Sequence, residues 1–190
     1  MSEKGLIVHV GVSGHRFLEN PERLRKSIRV VFERIYSLNK KAEFHLYSPL
    51  AAGADQLAAE CGLENPHTQL IVILPVPIGE YVRDFSETQK RSFYLLYEKR
   101  KDVIELPYIT NRDEAYLAAG RYIVDHSDYL IALWNGKPER GKGGTAQIVK
   151  YAKQKKIPTA WIRADNAVPG SAIHLDESYE KGSTAYLNWD

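Results

Sequence analysis

The alternation of short β-rich runs with longer helical patterns is the feature that most constrains the fold of this chain. Six runs rich in β-branched and aromatic residues recur between Leu6 and Ile162, and such runs favour strands. Several of them, among them LIVIL and YLIALW, are apolar on both faces, which is typical of strands covered on both sides. The predicted strands are Leu6–Val12, Glu43–Tyr47, Gln69–Leu74, Asp102–Glu105, Tyr129–Trp134 and Thr159–Ile162.

The segments between these strands are predicted to be helices. The clearest begins after Asn20, which can cap it, has Pro21 in its first turn, and repeats apolar residues every third or fourth position from Leu24 to Leu38. The other predicted helices are Ala54–Gly62, Glu87–Arg100, Arg112–His126 and Thr145–Lys155. This order predicts an α/β, Rossmann-like, doubly wound and mainly parallel sheet of about six or seven strands with helices on both faces.

The length of the chain and its last residues determine the predicted domain organisation. A chain of 190 residues favours one domain, and we expect a Rossmann-like domain over residues 1–162. Residues 163–190 carry scattered Pro, Gly and Ser without a lasting period. They are predicted to form a C-terminal extension that is either packed or partly ordered, and Tyr186 and Trp189 favour packing.

Composition argues against several classes of protein. Cys61 is the only cysteine and no signal-peptide layout precedes the first strand. No apolar run approaches the ~20 residues that span a bilayer, so we expect a cytoplasmic protein without a membrane partner. The net charge of +2 produces no global field that attracts nucleic acid. The six histidines show no metal-ligand spacing, and neither a metal nor a cofactor is predicted.

The turn after the first strand, GVSGHR, combines residues that suit an anionic ligand. Gly11 and Gly14 let the backbone come close to a ligand, and Ser13 and His15 offer hydrogen-bonding groups. Arg16 carries a fork of donors that matches phosphate. In an open parallel sheet, ligands bind beyond the carboxyl ends of the strands, which is where this turn would lie. The same residues also fit a tight turn with an ordinary surface arginine.

The turn after the second strand, SPLAAGADQLAAE, has a related composition. Gly53 and Ala54 open a predicted helix, and Asp55 stands in its first turn. Asp55 either faces a ligand or only complements the helix dipole. The following segment, PVPIGEYVRDF, is predicted to fold over the same region, where Tyr81 or Phe85 could stack on a base or pack in the core.

The glycine-rich stretch NGKPERGKGGTAQIV after the fifth strand is predicted to bind an anion. Gly143 and Gly144 precede Thr145, whose hydroxyl can cap the next helix or contact a phosphate. Arg140 and Lys142 add positive charge, and a helix N-terminus attracts anions. A solvated basic loop is the alternative interpretation.

Taken together, the turns GVSGHR, LAAGADQLAAE and GKGGTAQIVKYA resemble the SLOG superfamily. That superfamily is Rossmann-like and includes the LOG phosphoribohydrolases, the DNA-processing protein DprA and nucleotide-sensing domains. The resemblance covers Leu6 to Ile162 and implies a site for a nucleotide or a phosphorylated nucleoside derivative, and it implies a homo-oligomer. The residues it assigns to nucleotide binding are Gly11, Ser13, Gly14, His15, Arg16, Gly53, Ala54, Asp55, Gly143, Gly144 and Thr145.

The sequence departs from the hydrolytic LOG enzymes at one position. Their motif P-G-G-x-G-T-x-x-E ends in a glutamate that assists cleavage of the N-glycosidic bond, and alignment on Gly144 and Thr145 places Ile148 there. Because an aliphatic side chain cannot handle a proton, we expect a sensor or carrier that is not an enzyme. The alternative is a divergent nucleotide N-glycosidase. Its candidate catalytic residues are Asp55, Glu80 and Asp84.

A third hypothesis is binding of single-stranded DNA through the basic helix 145–156. Lys150, Lys153 and Lys156 recur at three-residue spacing and could contact phosphates without reading sequence. Surface helices of α/β proteins are often rich in lysine, however, and no evident set of aromatic residues is interleaved for stacking bases. We therefore do not expect nucleic acid as the partner.

Overall fold

The computed structural model describes residues 6–138, 144–165 and 182–189. Its strands belong to one seven-stranded sheet. They are β1 Ile7–Gly14, β2 Glu43–Ser48, β3 Thr68–Leu74, β4 Asp102–Glu105, β5 Tyr129–Trp134, β6 Thr159–Arg163 and β7 Thr184–Leu187. The strand order is β4-β3-β2-β1-β5-β6-β7, and every neighbouring pair is parallel except β6 and β7. The predicted Rossmann-like, mainly parallel α/β fold is confirmed.

Helices cover both faces of this sheet. They are α1 Pro21–Leu38, α2 Ala54–Gly62, α3 Ile78–Tyr81, α4 Glu87–Tyr97, α5 Arg112–Asp125 and α6 Thr145–Gln154, with a 3₁₀ turn at Val82–Asp84. Successive residues of a strand point to opposite faces. Ile131 of β5 packs in the core that contains residues of α1, α2 and α4, whereas Leu130 packs with residues of α5 and α6. The two helical layers therefore lie on opposite sides of β5.

Helix α1 forms as its sequence predicts. The Asn20 side chain accepts a hydrogen bond from the Arg23 backbone N–H at 3.4 Å, and Pro21 is the first helical residue. Leu24 and Ile28 are fully buried, so the predicted apolar stripe faces the core. Its last member, Leu38, is 60% exposed, so the buried stripe ends at Ile35.

The ends of several elements differ from the prediction by one to three residues. Helix α4 ends at Tyr97 rather than Arg100, and α6 ends at Gln154 rather than Lys155. Three elements were not predicted: α3, the 3₁₀ turn after it, and β7. Each spans four residues or fewer, which is too short for a periodic pattern to be recognised.

The last described residues pack against α1 and the edge of the sheet. Strand β7 pairs antiparallel with β6. The Arg34 guanidinium lies 4.3 Å from the Tyr186 ring centroid and 5.2 Å from the Trp189 ring centroid. The rest of the predicted extension, residues 166–181 and 190, lies outside the described residues. The boundary at residue 162 stays a prediction.

The length and apolarity of the described helices determine whether any of them could cross a membrane. None of the helices in residues 6–138 and 144–165 is both long and apolar enough to cross a membrane.

Candidate functional site

A cavity of about 290 Å³ opens at the carboxyl ends of the central strands. The chain runs from β1 outward to β4 and then returns to the other side of β1 as β5. Such a reversal of strand order leaves a crevice in which ligands of open α/β sheets bind. Six of the residues predicted to bind a nucleotide line this cavity: Ser13, Gly14, Arg16, Asp55, Gly144 and Thr145.

Asp55 is the least solvated charged group of the cavity. It lies in the first turn of α2 and is only 5% exposed. Burial raises the pKa of its carboxyl to about 7, although a hydrogen bond from the Ala51 backbone and the nearby Arg16 charge act in the opposite direction. Oδ1 has no hydrogen-bond partner among the described residues. A buried polar atom of this kind usually has a partner, so the cavity offers a ligand one unmet carboxyl oxygen.

Arg16 supplies the corresponding unmet donor. Its Nη2 is buried and, within the described part of the chain, forms no hydrogen bond. Its guanidinium carbon lies 5.6 Å from the centroid of the Phe85 ring and 5.8 Å from that of Tyr116. Cation–π contacts of this length hold the guanidinium in place. The cavity wall thus presents a fixed positive donor close to the Asp55 acceptor.

The aromatic wall of the cavity comes from two different elements. Tyr81, only 1% exposed, and Tyr116 both line it, and their ring centroids are 6.0 Å apart. Of the two residues predicted either to stack on a base or to pack in the core, only Tyr81 lines the cavity. Phe85 is buried against Tyr81 and Phe93 and does not line it. Tyr116, on α5, was not predicted.

Tyr116 is held from outside the cavity by an ion pair. The Arg112 Nη2 donates to the Tyr116 hydroxyl at 2.6 Å, and Arg112 Nη1 lies 3.0 Å from Asp84 Oδ2. Asp84 is therefore engaged away from the cavity, and Glu80 does not line it either. Of the three candidate acids named from the sequence, Asp55 alone faces the cavity.

Gly11, Gly53 and Ala54 do not line the cavity and have packing roles. A Cβ on Gly11 would lie 2.6 Å from Ile123 Cγ2 of α5, so glycine is needed there for helix–sheet contact. Gly53 has φ +87°, and a Cβ would collide with the Arg16 carbonyl. The Ala54 N–H donates to the His15 carbonyl at 3.0 Å. These residues join the first two turns to each other.

His15 connects the first turn to the end of β5. Its Nε2 accepts a hydrogen bond from the Asn135 N–H at 3.0 Å, and its backbone N–H donates to the Leu133 carbonyl at 3.1 Å. Burial lowers the pKa of His15, which favours the neutral ring that this bond requires. His15 does not line the cavity.

The third turn is described only in part. Gly144 is the N-cap of α6 with no side-chain cap, and Thr145 is the first helical residue. The predicted capping role of the Thr145 hydroxyl is therefore wrong, because a cap side chain must precede the helix. Arg140, Gly141, Lys142 and Gly143 lie outside the described residues.

Ile148 forms part of the apolar side of the cavity. It is 2% exposed and lines the cavity one turn into α6. A Cβ on Gly120 of α5 would collide with Ile148 Cδ1, so the two helices are in direct contact here. The cavity wall is therefore apolar at the position that the LOG motif gives to its glutamate.

Asp125 and Arg121 of α5 do not line the cavity. Asp125 accepts a hydrogen bond from the Tyr151 hydroxyl at 2.9 Å and pairs with Lys155 at 3.0 Å, away from the cavity. The Arg121 guanidinium lies over the Tyr151 ring. Lys156 follows the end of α6 with φ 58°, so the predicted lysine stripe is shorter than three residues of one helix.

The described residues support neither a metal site nor a cysteine nucleophile. Among the described residues, no group of three or more His, Cys, Asp or Glu side chains could hold a metal ion. Cys61 is buried, and burial raises the pKa of its thiol to about 11, which disfavours the thiolate that a nucleophile needs.

The fold and the position of its cavity define a class of protein, the Rossmann-like α/β domain with a crevice at the carboxyl ends of its central strands. A solved structure of DNA processing protein A from Helicobacter pylori, a protein that binds single-stranded DNA, is similar at TM-score 0.52 and 18% identity. The similarity covers 80% of this chain and 63% of that one. The Moco Carrier Protein from Chlamydomonas reinhardtii matches at TM-score 0.45 and 18% identity over 80% of this chain and 74% of its own.

The similarity to DNA processing protein A concerns the fold and leaves the ligand open. No protein-family model matches the chain, and no curated protein matches it. The present chain spans less than two thirds of the DNA processing protein A chain. At such low identity the likeness is one of fold alone.

Proposed function

We propose that this protein binds a nucleotide or a phosphorylated nucleoside derivative in the cavity at the ends of β1, β2 and β3, as a sensor or carrier. One observation carries the proposal: Asp55 Oδ1 and Arg16 Nη2 are both buried in the same cavity wall, and neither has a partner among the described residues. A ligand that bonds to both atoms must offer an acceptor, best an anion, to Arg16 and a hydrogen-bond donor to Asp55. A phosphate and a sugar hydroxyl form such a pair.

The surroundings of this pair support a small phosphorylated ligand. Gly144, the N-cap of α6, and Thr145 line the cavity, and Gly144 has no side chain that could cap the helix. The N-terminus of a helix favours phosphate. A cavity of about 290 Å³ lies near the lower limit of ordinary small-molecule sites. Tyr81 and Tyr116 add aromatic surface to the cavity, and Tyr116 does so next to Arg16.

The first experiment exposes the purified chain to nucleotides, nucleoside monophosphates and ADP-ribose-type compounds. Thermal unfolding and chromatograms of the small molecules are recorded together. A ligand at about 100 times its Kd should stabilise the fold by about 2.7 kcal/mol, a melting shift of roughly 5–11 °C for a domain of this size. No shift with any compound would contradict the proposal.

Variants then test the placement of the site. Arg16→Gln should weaken binding roughly 10- to 100-fold, because a charge-assisted hydrogen bond is worth about 1.5–3 kcal/mol. The matched control is Arg91→Gln, an exposed arginine on α4, which should leave affinity unchanged. Equal affinities for both variants would place the ligand elsewhere.

A divergent N-glycosidase is the second candidate function, and the Asp55 environment favours it. A carboxyl with a pKa of about 7 can donate a proton to a leaving base and accept one from water at neutral pH. Hydrolysis would break the bond between the base nitrogen and the ribosyl carbon. Water would supply hydroxyl to the sugar and a proton to the base.

The same chromatograms decide between the two candidates. Free base that disappears in the Asp55→Asn variant, a loss expected at about 10²–10⁴-fold in rate, would make the protein an enzyme. Ligand that is bound and recovered intact would make it a binder.

Single-stranded nucleic acid is the third candidate. The Helicobacter pylori protein, which shares this fold and binds single-stranded DNA, supports it, so the expectation against nucleic acid is withdrawn. Lys150 and Lys153 of α6 are exposed and could contact phosphates. Affinity for a labelled oligonucleotide should then fall steeply with salt. It should also fall in a variant with both lysines replaced by alanine, without loss of nucleotide affinity.

A further inference from the structure

Asp113, in the first turn of α5, is a second carboxylate that lines the cavity. Its side chain is exposed, whereas Asp55 is only 5% exposed. The neighbouring Arg112 forms its ion pair with Asp84, at 3.0 Å, and not with Asp113. The cavity therefore has one carboxyl in its buried part and another that faces solvent.

Helix α5 runs along the cavity from its floor to its mouth. Ile123, only 1% exposed, lies at the floor, where its Cγ2 is 2.6 Å from the place that a Cβ on Gly11 would take. Asp113 precedes Ile123 by ten residues, which is about 15 Å of helix, and so stands at the mouth. Between them lies Tyr116, whose ring centroid is 5.8 Å from the Arg16 guanidinium carbon. Tyr116 and Asp113 are separated by about one helical turn, so a group bound to Arg16 lies close to the Asp113 carboxylate.

The charges of the cavity wall do not match a ligand with several phosphates. The described residues that line the cavity include one cation, Arg16, and two carboxyls, Asp55 and Asp113. Arg16 can neutralise one phosphate group, and the N-terminus of α6 adds a partial charge of only about +0.5. A second phosphate that extends toward the mouth would therefore meet the Asp113 carboxylate, and juxtaposed like charges disfavour binding.

Hydrogen-bond donors match the two carboxyls instead. Asp55 Oδ1 has no hydrogen-bond partner among the described residues, and the Asp113 carboxylate is exposed at the mouth. Carboxylates accept hydrogen bonds from sugar hydroxyls at the strand ends of Rossmann-like sheets. A sugar with a single phosphate can present the phosphate to Arg16 and hydroxyls to both carboxyls. The cavity, about 290 Å³ in volume, also suits a small ligand.

We infer that Asp113 is a specificity-determining residue of the cavity, which admits a sugar carrying a single phosphate and excludes a ligand whose second phosphate would reach the mouth. Nucleoside diphosphates belong to the excluded class. The inference rests on the proposed function, because it assigns the ligand of the same cavity more narrowly. It does not concern the exposed lysines of α6, which lie outside the cavity.

Isothermal titration calorimetry tests the inference with the ribonucleoside 5′-monophosphates of adenine, guanine, cytosine and uracil and with the corresponding diphosphates, at one pH and ionic strength. Each monophosphate that binds should bind at least about tenfold more tightly than its diphosphate, because the second phosphate meets a like charge. Asp113→Asn should reduce this ratio of Kd values to less than about threefold, mainly because the diphosphate binds more tightly. Asp113→Glu, which keeps the charge, should preserve the ratio. Glu33→Gln, an exposed change on α1, is the matched control and should also preserve it.

The ratio of Kd values separates this role from a structural one. An acid in the first turn of a helix also complements the helix dipole, so thermal unfolding of each variant is recorded beside the titrations. Diphosphates that bind the wild type as tightly as monophosphates would overturn the inference and leave the proposed function in place. An unchanged ratio in a folded Asp113→Asn variant would overturn it as well. If no monophosphate or diphosphate binds the wild type, the proposed function fails, and the inference fails with it.

Discussion

Asp55 combines the clearest functional signal in the molecule with a cost to the fold. Its carboxyl is buried, and its pKa of about 7 lies well above the value of about 3.9 for an exposed aspartate. Between these two values the folded state holds a proton that the unfolded state releases. Stability from this residue is therefore greatest at acidic pH, falls as pH rises toward 7, and levels off above it.

Asp55→Asn should consequently stabilise the unliganded protein at pH 8 and have little effect near pH 4. The full linkage effect corresponds to roughly 4 kcal/mol, as an upper bound, because relaxation of the cavity and penetration of water reduce it. Urea denaturation of both proteins at the two pH values measures the difference. Glu98→Gln, an exposed carboxylate on α4's C-terminal side, should show no such dependence. A stability difference that does not change with pH would contradict the assigned burial of the Asp55 charge.

At the residue scale, the sequence predicted several residues that line the cavity, but it did not separate them from residues that only pack. Asp55 and Arg16 were recognised because they follow strand ends, where the topology concentrates ligands. Gly14 and Gly144, predicted as ligand contacts, line the cavity, whereas Gly11 and Gly53, predicted in the same way, lie against Ile123 and the Arg16 backbone. Close approach to a ligand and close approach to another element leave the same glycine in a sequence, so composition could not separate them.

At the scale of elements, two segments distant in sequence are tied together beside the cavity and support Tyr116 in its wall. The turn Val82–Asp84 follows β3, and α5 follows β4, yet Asp84 and Tyr116 are joined through Arg112. Sequence periodicity predicted α5 as a helix but could not fix its rotation. The cavity side of α5, with Tyr116 and Gly120, was therefore missed.

Asp84→Asn should loosen this wall without unfolding the protein. The Asp84 side chain is 53% exposed and that of Arg112 29%, so solvent screening limits the loss of stability to about 1 kcal/mol or less. Amide hydrogen exchange in Val82–Phe85 should nevertheless become faster, because the segment loses its link to α5.

The matched control for this change is Glu87→Gln. Glu87 forms an ion pair with Lys90 at 2.9 Å but is 91% exposed and confined to one helix. If exchange in Val82–Phe85 accelerates equally in both variants, the Asp84 pair does not hold the cavity wall.

At the scale of the whole molecule, the fold was predictable and its closing strand was not. Six parallel strands were recognised from apolar runs, and their crossovers follow from helix–strand alternation. Strand β7 was not, because its four residues lie at the end of a stretch without periodicity. Its position depends on tertiary contacts: the pairing with β6 and the packing of Tyr186 and Trp189 around Arg34.

Removal of residues 182–190 should therefore expose an edge of the sheet. Strand β6 would lose its antiparallel neighbour, and an open edge with unpaired backbone groups promotes association between chains. We expect a lower Tm and increased light scattering on concentration, whereas removal of residue 190 alone should change neither. A truncated chain with unchanged Tm and scattering would mean that β7 contributes nothing to the sheet.

The buried atoms of Arg16 and Asp55 that lack hydrogen-bond partners in the described part of the chain bear on how much of the protein a cell keeps. Among the described residues, Arg16 Nη2 and Asp55 Oδ1 have no hydrogen-bond partner. Under the proposed function the protein would be less stable empty than occupied, since binding to the folded state alone shifts the unfolding equilibrium. Small losses of stability change turnover by proteases several-fold. The steady-state amount of this protein would then rise and fall with the supply of its ligand, and its abundance would itself report that supply.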